Sequence, residues 1–133
     1  MKKAGAGFFA FCMLFSITLL LAHHGTGGAF DTNTIMTSKA TVTKFQWINP
    51  HIQISFTIMG KDGSTEEWKA EGDPVNMMAE TGWNKHSLNP GDVITISYYA
   101  AKNGAKIGYT LKVVTPAGKC LPRSASWESL CSK

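Results

Sequence analysis

Cysteine is scarce: three in 133 residues, Cys12, Cys120 and Cys131. None lies three positions from another, so a Cys-x-x-Cys metal knuckle is excluded. No Lys/Arg stripe with interleaved aromatics occurs, which argues against nucleic acid as a partner. Only one long apolar run exists, Phe8 to Leu21, and it is short for a full membrane span. No serine, cysteine or carboxylate pair carries a nucleophile or acid/base motif. Glu66 and Glu67 are neighbours on a strand and face opposite ways, so they cannot act together. No internal repeat is present. A hydrolytic enzyme, a multi-span membrane protein and a repeat array are therefore poor descriptions.

What is present begins with a leader. Lys2 and Lys3 precede the apolar run, and Ala22 supplies a small residue at its end. This is the layout of a secretory signal peptide cut after Ala22, with an uncleaved membrane anchor as the alternative. Phe9-Ala10-Phe11 before Cys12 is not a lipobox. Removal of 22 residues leaves 111, enough for one small domain. It also removes Lys2 and Lys3, leaving 11 basic and 9 acidic residues, a formal charge of +2. The expected location is periplasmic or secreted, with no membrane contact after cleavage. Cys120 and Cys131 then form an even pair in an exported chain, for which a disulfide is the natural expectation and a thiolate metal site the alternative.

The clearest periodicity lies in Ile52-Gln53-Ile54-Ser55-Phe56-Thr57-Ile58, where apolar and polar residues alternate with the period of a half-buried strand. Asn49-Pro50 reads as a corner that sets His51 at the lip of the sheet. An earlier strand, Lys39 to Trp47, is rich in β-branched and aromatic residues, and its inward phase changes between Val42 and Phe45, as at a bulge. Gly60 to Ser64 is a hairpin turn leading to a third strand, Thr65 to Ala70. Asp73-Pro74 reads as a helix start with Asp73 as the cap, Val75, Met78 and Ala79 as one apolar face and Gly82 as the stop. The methionines read as core filler rather than copper ligands. A fourth strand alternates through Ile94, Ile96 and Tyr98, and a fifth sets Ile107, Tyr109, Leu111 and Val113 on one side.

The order strand, strand, strand, helix, strand, strand predicts a mainly β protein: a small five-stranded OB-fold-like barrel with one helix between strands 3 and 4. An open α+β meander satisfies the same local signals. The expected organisation is a signal peptide over 1–22, a flexible segment over 23–38, the barrel over 39–115 and a disulfide-pinned tail over 116–133.

Several motifs in order resemble the DUF6152 family, small exported bacterial proteins of unassigned function. They are Ala22-His23-His24, Phe30-Asp31, Phe45-Gln46-Trp47-Ile48-Asn49-Pro50-His51, Glu67-Trp68, Pro74, Gly82-Trp83, Ser87-Leu88-Asn89-Pro90-Gly91-Asp92 and Lys102-Asn103-Gly104. The resemblance runs from about Ala22 to Gly118. It implies a mature chain opening on His-His and an Asn-Pro-His corner. It also implies that a histidine often stands in relatives where this chain has Tyr99, a departure that weakens any ligand role there. The tail with Cys120 and Cys131 extends past the resemblance.

Cleavage after Ala22 gives His23 a free α-amine beside its imidazole. Those two groups with a second imidazole make a T-shaped nitrogen set, a histidine brace, which suits Cu(II). His51 is the best second imidazole, since Gly25, Gly27 and Gly28 let the terminus fold back to it. His24 is an alternative ligand and His86 a weaker one. Such a site loses metal in acid, because amine and imidazoles must be deprotonated. The plain alternative is that His23 and His24 are solvated and His51 hydrogen-bonds its own turn. The expected function is an exported copper carrier or sensor. The alternatives are an OB-like module binding a periplasmic partner protein or small ligand across Trp47 and Tyr99, and a copper-dependent oxidase.

Overall fold

The computed structural model describes residues 26–132. The expected signal segment and both His23 and His24 lie outside the described residues. The described chain starts with a single helical turn, α1 (Thr26–Ala29), and then enters β1 (Met36–Gln46). β2 (Gln53–Met59), β3 (Thr65–Glu71), a short helix α2 (Val75–Ala79), β4 (Val93–Ala100) and β5 (Ile107–Val114) follow. The chain ends in β6 (Cys120–Pro122) and a 3₁₀ helix (Ala125–Cys131). Among the described residues, no helix is long and apolar enough to cross a membrane.

The strand order is β3-β2-β1-β4-β5-β6, and a parallel β3–β5 pairing closes the first five into a barrel. All other pairings are antiparallel. This is the expected OB-like barrel, with α2 between the third and fourth strands and one extra strand on β5. Closure leaves β3 and β5 without free edges along their paired stretch.

The core follows from the alternation. Ile52, Ile54 and Phe56 point inward with Ala40, Val42, Ile94, Ile96, Tyr98 and Val113. The β1–β2 register shifts between Val42 and Lys44, which gives Thr43 no partner and turns Phe45 and Trp47 towards the core. That is the bulge the phase change predicts. Trp83 and Met78 plug one end of the barrel, exposed by 2% and 0%. Met78 is thus core filler; Met77 and Ala79 stay exposed.

Four local expectations are corrected. Strand β1 begins at Met36 rather than Lys39, and Phe30 is buried against Tyr109, so the segment up to residue 38 is anchored in its second half. Asp73 does not cap α2: Asn49 Oδ1 accepts from Val75 N–H at 3.1 Å instead. Ile107 is 44% exposed. The β4–β5 register slips between Ser97 and Tyr98, making Leu111 an extra residue and reversing the phase. Gly108 and Thr110 therefore face Tyr98 inside, while Tyr109 and Ile107 face out. Finally, the tail is a paired strand and a 3₁₀ helix rather than a bare loop.

Candidate functional site

The Asn49–Pro50 bond is cis, and His51 follows it at the entrance to β2. Two backbone bonds tie this entrance to the exit of β3: Gly72 N–H donates to Ile52 C=O at 3.0 Å and Ile52 N–H to Asp73 C=O at 3.3 Å. Between them, His51 Nδ1 lies 2.8 Å from the Gly72 carbonyl oxygen. A carbonyl can only accept, so Nδ1 carries a proton and, in the neutral ring, the lone pair is on Nε2. The half-buried ring is oriented by the neighbouring strand rather than by its own turn.

Behind that carbonyl stands a polar and aromatic cluster on the outside of the barrel. Asp73 is 8% exposed and accepts a short hydrogen bond from the Tyr109 hydroxyl. Arg123, the chain's sole arginine, sets Nε 3.2 Å from Asp73 Oδ2. The ion pair is close but misaligned, and Nε–H has no well-directed acceptor. The guanidinium lies between two rings, 4.7 Å from the Tyr109 centroid and 5.7 Å from that of Trp127. Phe30 packs on Tyr109 at 5.5 Å, and Tyr99 meets Trp127 edge-on at 6.0 Å. The first buried residue of the described chain, Phe30, is therefore linked to His51 through Tyr109, Asp73 and Gly72. Sequence reasoning missed this cluster. A lone arginine in a tail shorter than the domain was the only available signal.

The remaining candidates are dispersed. Trp47 packs on Phe45 (6.2 Å) beyond the Gln46 end of β1, while Tyr99 follows Tyr98, the partner of Met36 at the other end. The two do not share a face. His86 is exposed on the α2–β4 loop, where its N–H donates to Asn84 Oδ1 at 2.8 Å. It lines a shallow groove with Asp92, Thr115 and Lys119. Cys120 and Cys131 are joined as a disulfide with Cα atoms 5.7 Å apart. Among the described residues, no three or more His, Cys, Asp or Glu side chains group as a metal site. His51 is the one described member of the expected set.

Residues 13–110 match the DUF6152 family model, described as a family of unknown function. The chain belongs to the DUF6152 family. No curated protein and no solved structure matches it. The family match takes in His23, His24, His51, Asp73 and Tyr109. It ends inside β5, so Arg123, Trp127 and the disulfide lie beyond the stretch that defines DUF6152 membership.

Proposed function

We propose that this DUF6152 protein is an exported Cu(II)-binding protein, acting as a carrier or sensor. Cleavage before His23 gives the α-amine and imidazole of His23, and His51 supplies the second imidazole through Nε2. His24 is a spare donor in the same leash. One observation carries the reading: His51 Nδ1 is committed to the Gly72 carbonyl, which leaves Nε2 as the nitrogen that can ligate in the neutral ring. A hydrogen-bonded second ring nitrogen is the usual support of a metal-ligating histidine.

Phe30 lies seven positions after His23; because Thr26–Ala29 form the helical turn α1, the extended reach of about 25 Å is available only when that turn opens. Phe30 is anchored to the cluster that leads to His51. Nitrogen donors of this kind favour copper over other divalent ions.

The test is a Cu(II) titration of the secreted chain beside its His51→Ala variant. The reading expects about one equivalent bound tightly by the wild type and a loss of that site in the variant. Unchanged tight binding by the variant overturns His51 as a ligand.

A further inference from the structure

The appendage from Cys120 to Cys131 has two unequal halves. β6 is woven into the fold. It pairs with β5, and Leu121 is 2% exposed. The Pro122 carbonyl accepts from Trp83 Nε1 at 2.9 Å and from Thr81 Oγ1 at 2.8 Å. Arg123 N–H donates to Leu111 C=O at 2.8 Å.

The 3₁₀ helix is different. It contains no buried residue. A 3₁₀ run of seven residues is long for a helix type with poor hydrogen-bond geometry, so it depends on what holds its ends. Among the described residues the holders are few: the edge of Trp127 on Tyr99, the Arg123 guanidinium over Trp127, the Lys112 ammonium on the Leu130 carbonyl, and the Cys120–Cys131 bond. Only the last is covalent, and it sits at the far end of the helix.

We infer that Cys120–Cys131 is a redox-sensitive latch: on reduction, residues 124–131 lift off the barrel while β6 stays paired, uncovering Tyr99 and the Arg123–Asp73 pair. The reductant is a dithiol. Both cysteines are half-exposed, so an attacking thiolate can reach the bond. The thiolate attacks one sulfur, the other protein sulfur leaves as thiolate, and a mixed disulfide forms. The second thiol of the reductant then attacks that mixed disulfide. Two electrons and two protons pass to the protein, giving two cysteine thiols and the oxidised, cyclised reductant. The inference stands apart from copper, since it uses no histidine.

Amide hydrogen exchange tests it on three samples: the oxidised chain, the chain reduced with dithiothreitol, and a Cys120→Ser/Cys131→Ser double variant without reductant. The expected result is exchange of 125–131 faster by at least about tenfold in the last two, with β5 and β6 protection unchanged. Acrylamide should quench an added fraction of fluorescence in the reduced chain, and Trp127→Phe should remove that fraction. Equal protection of 125–131 in oxidised and reduced chains overturns the latch. So does loss of β6 protection on reduction, because the bond then holds the fold rather than its cover. The reduced wild type gives the answer even if the double variant fails to fold.

Discussion

The imidazole of His51 is held by the backbone of Gly72, with Nδ1 2.8 Å from its carbonyl oxygen. Gly72 can serve only as a glycine. A Cβ there would stand 2.7 Å from Ile52 Cγ1 and 3.3 Å from Met78 Cε, both buried. Gly72→Ala should cost about 1–3 kcal/mol, read as a lower urea midpoint with an unchanged m-value. An unaffected midpoint would mean that the β2–β3 junction gives way easily and does not fix the ring.

Asp73 is the charge that keeps Arg123 in place. Its side chain is 11% exposed and that of Arg123 17%, so the pair is mostly withdrawn from water. Asp73→Asn leaves the guanidinium without a counter-charge and should cost about 2–4 kcal/mol. Arg123→Met placed on top should recover more than half of that loss, since both charges are then gone. A double-mutant cycle by denaturant unfolding measures the coupling, expected at about 1 kcal/mol or more. Additive effects would show that the pair contributes nothing together.

Acid should weaken the β2–β3 hairpin. Trp68 Nε1–H donates to Glu66 Oε2 at 3.1 Å, and Lys106 Nζ lies 3.0 Å from the same oxygen. The indole hydrogen bond first, then Lys106, hold the Glu66 carboxyl below its usual range. Asp62 is lowered in the same way by the side-chain and backbone groups of Ser64. A folded value below the unfolded one means the contribution is complete above the ordinary carboxylate range and is lost as pH falls through the depressed value. Urea midpoints from about pH 6 down to about pH 3 should fall, and Glu66→Gln should flatten part of that slope. Both carboxylates are solvent-screened, so the effect is small. A Glu66→Gln slope identical to wild type would contradict it.

The barrel was legible wherever a local rule agreed with the tertiary outcome. Alternation marked β2, and the phase break between Val42 and Phe45 marked the bulge at Thr43. The element order carried the closed topology because each strand announced itself by period and turn. Ile107 misleads because alternation runs unbroken in the sequence through Leu111, where a bulge reverses the face. Asp73 misled because Asp-Pro is a helix-start signal, yet Tyr109, 36 positions away, took its carboxylate. Asn49 filled the vacant cap from 26 positions away. Partners at such separations leave no trace in a local pattern. For His51, the sequence marked the position at the strand mouth, but not the Gly72 carbonyl that selects the tautomer.

The most direct measurement compares two forms of the chain by Cu(II) titration and electron paramagnetic resonance: one starting at His23, the other carrying a methionine before it. The amine-and-imidazole chelate with His51 predicts about one tight equivalent with a three-nitrogen signature in the first form, and much weaker binding with that signature lost in the second. Equal affinity and the same spectrum in both forms would contradict it.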